Sequence, residues 1–443
     1  PVPPGRGLAE VEVDSEDGKE SSYEADRVLV AIGREPVTDG LNLDALSVET
    51  DDRGFVKTDE FGRTSAEHVF AVGDVAGEPM LAHAGAHEGV VAAGVLDPVG
   101  ESLSAAGLDY EVWSGVRPDP TDEVVHAAAD AYDAADGDLI VAVGGGSSID
   151  TAKSAGIVAT NDGHILDFAG SGNVPNAPPP SIYAPTTAGT GSEVGHWAVV
   201  TDSDTDIKEE IGDPKLLAEL ALVDPELTAS APAPVKAATG MDVLTHAIEA
   251  YVSINAQSPT SALALDAIEK VGTHLPRAVE YRDGDREALT AMARASMQAG
   301  MAFNGAGLGA VHAISHQLGA TFGVPHGLVN AIILPYVMEY NLPQVPALLV
   351  DVAEALGENV DRSNPADVEG RKAIRAVRRL GKSVRIPATL ADTDAERDAA
   401  ARLAEQALDD GSLTGNPRTT GADDLERILE RAFDGESAYA DGT

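Results

Sequence analysis

The chain has 443 residues and no cysteine, and its 73 acidic against 30 basic residues give a formal net charge of −43. That length admits two or three domains, each with its own core, while the charge repels nucleic-acid phosphates and anionic membrane surfaces. Without cysteine there are no disulfides, thiolate ligands or thiol nucleophiles, so any metal must be held by His, Asp or Glu.

Residues 1–90 read as short strands broken by acidic turns, at 27–32 (RVLVAI) and 69–72 (VFAV). From 91 to 230, apolar strands alternate with helical stretches, the order of a parallel sheet; a strand at 138–143 (DLIVAV) runs into glycines and then a helix through Lys153. From 231 to 433 the period is helical, with Ala-rich stretches at 261–271, 286–301 and 394–408. An α/β nucleotide-binding domain with a parallel sheet, followed by an all-helical domain, is therefore expected. Residues 434–443 are small and polar and read as a frayed tail. No apolar run reaches the roughly 18 residues that span a bilayer. The start, PVPPGRG, has neither region of a signal peptide, so a cytoplasmic location is expected.

Two loops carry phosphate-binding chemistry. Gly144, Gly145, Gly146 and Ser147, with Asp150 one turn on, join a strand end to a helix start. There, bare backbone and free N–H groups favour an anion. The pattern is not GxGxxG, and a tight strand-to-helix turn reads equally well from glycines alone. The second loop, PTTAGTGSE, offers Thr186, Thr187 and Thr190 with two glycines after another short strand. Two such loops at strand ends of one sheet point to a dinucleotide crevice.

In the helical half Asp242 and His246 lie four apart, and HAISHQLGATFGVPHG carries His312, His316 and His326. Residues four apart share a helix face. One carboxylate and three neutral imidazoles suit a divalent first-row metal with open coordination positions. For any single histidine, a satisfied, partly buried side chain is the plainer reading.

From about residue 88 to 418 the chain resembles the iron-containing (group III) alcohol dehydrogenases, through GGGSSIDTAK, PTTAGTGSEV, LALVDPELT, TGMDVLTHAIEAY, AGMAFNGAGLGAVHAISHQLGATFGVPHGLVNAIILP and ALDDGSLTGNPR. The resemblance implies the dehydroquinate synthase-like fold, with an α/β domain before a helical metal-binding domain, and a homodimer. It implies metal ligands at Asp242, His246, His312 and His326, with Fe2+ expected and Mn2+ or Zn2+ as alternatives. His316 becomes a proton relay beside the nicotinamide. NAD or NADP is expected on Gly144–Ser147, Asp150, Thr186, Thr187 and Thr190, with Lys208 and Leu227 as further contacts. Phe303 walls the substrate pocket; His196 also faces it, while Trp197 reads as packing. The implied reaction is oxidation of small primary alcohols or reduction of the aldehydes: a metal-bound alkoxide passes hydride to nicotinamide C4.

The first region differs. TDEFGRTSAEHVFAVGDVAGEPMLAHAGAHEGVVAA and RVLVAIGREP resemble dihydrolipoamide dehydrogenase, a flavin disulfide reductase, yet the FAD phosphate loop and the redox cysteines are missing. The chain thus reads as a fusion joined near HEGVVAAG. The dehydrogenase family's first strand, whose end carries the acid that contacts the adenosine ribose, is lost. VFAVGD is expected to fill that sheet position with Asp74 standing in for the acid; a passive extension is the alternative. A flavoprotein electron-transfer module and a catalytically impaired fusion are the rival functions. The dispersed acidity reads as adaptation to molar salt, where counterions screen self-repulsion, so lower salt is expected to lower the melting temperature.

Overall fold

The computed structural model describes residues 9–14, 20–25, 48–51, 55–57, 64–66, 96–205, 207–280 and 285–435. The chain divides into two units, Pro1–Gly85 and Ala86–Thr443. In the first, strand β1 (Ala9–Asp14) pairs antiparallel with β2 (Glu20–Ala25), in a register running from Ala9↔Ala25 to Asp14↔Glu20. An antiparallel bridge between Thr50 and Val56 closes a short turn beside buried Val48 and Phe55. The strands expected at 27–32 and 69–72 lie outside the described residues, and Asp74 with them.

The second unit opens with α1 (Asp97–Ala105) and α2 (Asp122–Ala134). Thr121 caps α2 by accepting the Val124 N–H, and Asp122 and Glu123 put negative charge at its positive end. Strand β3 (Ile140–Gly144) leads through α3 (Gly146–Thr160) to β5 (Ser181–Pro185), which lies parallel beside it. Strand β8 (Leu220–Ala221) extends this sheet, in parallel, on the far side of β5. A second small sheet sets β7 (Lys208–Gly212) between parallel β4 (Gly170–Ser171) and antiparallel β6 (Trp197–Thr201). Two small apolar clusters fill this half: one around Ile157, Phe168 and Ile211, the other of Ala142, Ile149 and Tyr183.

Lys153, on the inner face of α3, is fully buried, and its ammonium donates to the carbonyls of Ser192, Gly195 and Trp197 at 2.7–2.8 Å. All three of its hydrogens are used, which fastens the threonine-rich loop to the helix that follows the glycine run.

The helical half follows as expected: α4 (Ala233–Val252), α5 (Ser258–Val279), α6 (Arg286–Ala306), α7 (Ala310–Phe322), α8 (His326–Asn341), α9 (Pro346–Ala355), α10 (Ala366–Ser383), α11 (Ala400–Ala407) and α12 (Ala422–Asp434). One apolar core runs through it from Ala237 to Phe433. The helix expected at 394–408 starts only at Ala400, after a 3-10 turn at Arg397–Ala399. The reason is local: the Thr393 hydroxyl accepts the Ala395 N–H, a turn that competes with helical pairing. Among the described residues no helix is long and apolar enough to cross a membrane.

The α/β and helical halves touch at two glycines. Gly191 has φ +64°, and a Cβ on it would lie 2.7 Å from the Gly300 Cα on α6. Neither position has room for a side chain.

Candidate active site

Helix α4 is buried without a break from Gly240 to Val252, so the polar residues within that stretch face protein on every side. Asp242, His246 and Glu249 fall on one stripe of it, at i, i+4 and i+7. Helix α7 brings His312 against them, and α8 begins at His326 with Asn330 one turn on. Asp242 Oδ1 lies 3.9 Å from both His312 Nε2 and His326 Nε2, and Asp242 Oδ2 lies 3.9 Å from His246 Nδ1. Two metal–ligand bonds of about 2.0–2.2 Å span such gaps.

Two observations test whether these residues fit a cation. Asp242 Oδ1, His312 Nε2 and His326 Nε2 all converge on the Asn330 amide nitrogen, at 2.6, 3.2 and 3.0 Å, although an amide has only two hydrogens to give. His246 Nδ1 is buried and, among the described residues, has no hydrogen-bond partner. Three lone pairs thus aim at one point with two hydrogens to share, and a fourth, on His246, is left beside Asp242 without a donor, which is the chemistry of a divalent-metal donor set. Burial lowers the His246 and His312 imidazoles to about 4 and holds His326 well below its ordinary value, which favours the neutral rings that ligation requires.

Around this centre, His312 Nδ1 meets the Glu249 carboxylate at 2.6 Å, and Phe303 stacks on His246 with ring centroids 4.8 Å apart. His316, one turn beyond His312, stacks on His326 and places Nδ1 2.9 Å from Asp410 Oδ2 and 3.8 Å from Glu210 Oε1. Burial alone would lower the His316 imidazole, but the Asp410 carboxylate and then Glu210 outweigh it and raise it. Burial likewise opposes ionisation of Asp410, yet His316 and the Ser412 donors hold that carboxyl well below the usual range.

The carboxyl ends of parallel β3, β5 and β8 carry three loops along one sheet edge. The Thr186 N–H donates to the Gly144 carbonyl at 2.9 Å. A Cβ on Gly145 would meet Thr187 Oγ1 at 3.4 Å, and one on Gly146 would meet Thr190 Cγ2 at 2.6 Å. The glycine and threonine loops therefore face each other. Helix α3 starts from Gly145 with no capping side chain, which leaves its first N–H groups open to a ligand. Such a crevice, outside the carboxyl ends of parallel strands, is where α/β sheets bind nucleotides.

Residues 61–225 match the family model described as iron-containing alcohol dehydrogenase, and residues 236–433 match its C-terminal counterpart. The NAD-dependent methanol dehydrogenase of Bacillus methanolicus is 40% identical over 340 residues, covering 77% of this chain and 89% of the relative. The chain belongs to the iron-containing alcohol dehydrogenase family. Among relatives of this family, the 1,3-propanediol dehydrogenase of Citrobacter freundii is 41% identical over 77% of this chain and 87% of its own length. A crystal structure of 1,3-propanediol oxidoreductase superposes with a TM-score of 0.75 at 39% identity, covering 77% of this chain and 88% of that one. Residues 5–89 match the pyridine nucleotide-disulphide oxidoreductase model, so 61–89 fall within both matches.

The structure brings Asp242, His246, His312, His326, His316 and Phe303 together, and it gathers Gly144–Ser147 with Thr186, Thr187 and Thr190. Burial pushes the Asp150 carboxyl up to about 6 against the pull of Lys153, and its Oδ2 accepts the Val199 N–H, tying α3 to β6. The Lys208 ammonium meets Asp119 Oδ1 at 2.5 Å. Leu227 lies in the 3-10 turn Pro225–Thr228 that follows β8. His196 packs on Trp197 at 5.3 Å, and its N–H donates to Asn304 Oδ1. Sequence reasoning missed Glu249, Asn330, Asp410 and Glu210. The first two carried a signal, because each shares a helix face with a predicted ligand.

Proposed function

We propose that this chain is a metal-dependent, NAD(P)-linked dehydrogenase that interconverts small primary alcohols and their aldehydes. The convergence of the Asp242 carboxylate with the His312 and His326 imidazoles, beside the unpartnered Nδ1 of His246, carries this reading. The relatives named for methanol and 1,3-propanediol supply the substrate class, and the NAD dependence in the first name favours NAD.

Asp242, His246, His312 and His326 would hold the metal, Fe2+ first and Mn2+ or Zn2+ as alternatives. When bound, the cation supplies Lewis acidity that lowers the substrate hydroxyl pKa, and the nicotinamide supplies a hydride acceptor. The open N–H groups at the start of α3 would bind the pyrophosphate, with the Thr187 and Thr190 hydroxyls opposite them. Phe303 keeps water from the side of His246 on which it stacks. His316 would take the substrate proton at Nε2, the nitrogen that Asp410 does not engage, while Asp410 and Glu210 stabilise the cation so formed.

Protein stripped of metal and reloaded with Fe2+, Mn2+ or Zn2+ tests this with NAD+ or NADP+ and a panel of C1–C4 primary alcohols and diols. Metal-dependent formation of reduced nicotinamide is the expected result. Its absence with every metal and cofactor would refute the reading.

A further inference from the structure

Glu249 is 3% exposed, accepts two backbone N–H groups and lies within hydrogen-bond distance of a His312 ring nitrogen. Its Oε2 takes the Gly309 N–H at 3.1 Å and meets His312 Nδ1 at 2.6 Å, while its Oε1 takes the Val311 N–H at 2.7 Å. Gly309 is the N-cap of α7 and has no side chain to cap it, so the orphan N–H groups of that helix find their acceptor on α4 instead. A Cβ on Gly309 would lie 2.9 Å from Glu249 Oε1, so the glycine makes room for the carboxylate.

Resting on the metal-centre reading, we infer that Glu249 is a positioning residue for the metal: it fixes His312 as the Nδ1–H tautomer and so presents the Nε2 lone pair to the centre. The other two imidazoles are held by neutral groups instead: the His246 ring bonds the Gly189 backbone, and His326 Nδ1 meets the Ser315 hydroxyl at 3.4 Å. A carboxylate behind a ligating histidine sets the ring's orientation and raises its basicity, and its loss typically costs about 10–100-fold in metal affinity. The same carboxylate docks α7 onto α4, so the frame of the helical half and the donor set of the metal meet in one side chain.

The test compares wild type with Glu249→Gln by equilibrium dialysis of metal-stripped protein against Zn2+, alongside melting of the metal-free forms. A neutral amide has one acceptor oxygen for three donors, and Zn2+ affinity is expected to fall about 10–100-fold. Affinity within twofold of wild type overturns the inference, even if the melting temperature drops, because that pattern marks a purely structural cap. Wild type that binds no Zn2+, Mn2+ or Fe2+ would instead overturn the metal-centre reading. Should Glu249→Gln fail to fold, the wild type decides by NMR with 15N-labelled histidine, the His312 signal being identified by its loss in His312→Gln. An Nδ1–H tautomer is expected in the metal-free protein, and an Nε2–H tautomer would overturn the proposal.

Discussion

In the helical half, the side chains at the metal centre leave helices that are sealed into one continuous core. In the α/β half, the groups lining the crevice are mostly backbone, on loops between short strands over two small apolar clusters. The first arrangement fixes direction by packing, since an imidazole buried on α4 or α7 is hemmed in by close-packed neighbours. The second fixes only a path for the chain, and relies on tethers such as the Lys153 ammonium to hold the loop. The first suits chemistry that needs lone pairs aimed at one point, and the second suits recognition of an extended anion by many N–H groups.

The two halves are therefore expected to fail separately. Asp242→Ala has the largest expected effect: metal content falls to background and turnover drops on the order of a thousandfold, as losing several kcal/mol of charge stabilisation dictates. NADH binding, followed by fluorescence, stays within about twofold; a parallel loss of NADH binding would break the comparison.

Asp410→Asn comes next. The carboxylate favours the charged imidazolium of His316, so its neutral replacement lowers the His316 pKa. The limb of the kcat/KM profile on which His316 must be neutral then moves to lower pH, and kcat falls about tenfold as the proton acceptor loses its anchor. Unchanged metal content and a displaced limb support the assignment, whereas an unmoved limb removes His316 from proton transfer.

Gly146→Ala is the mildest. Its methyl group would overlap Thr190 Cγ2, and overpacking of about 1–3 kcal/mol corresponds to roughly a tenfold rise in the KM for the cofactor. Metal content and kcat at saturating cofactor hold constant. A fall in metal content would show that strain in the loops reaches the helical half.

The parallel-sheet order, the helical half and the histidines that the structure gathers around Asp242 were legible in the sequence because each rests on periodicity or on motifs a few residues long. The partners that tune them were not. Asp410 meets His316 across 94 positions, and Asp119 meets Lys208 across 89, so no local pattern announces either pair. Glu249 and Asn330 were within reach, one at i+7 from Asp242 and the other at i+4 from His326. They were passed over because a lone Glu or Asn on a helix face usually meets water. The helix expected at 394–408 was overdrawn because composition registers alanines, while the Thr393 hydroxyl that opens the turn acts through a single hydrogen bond.

The paired glycines at 191 and 300 bear on how such an enzyme can change. One added methyl group at either would wedge apart the surfaces between which the two halves meet. A library screened for new alcohol specificity should therefore find both positions closed to substitution. The freedom to redesign the pocket would depend on two places where nothing may be added.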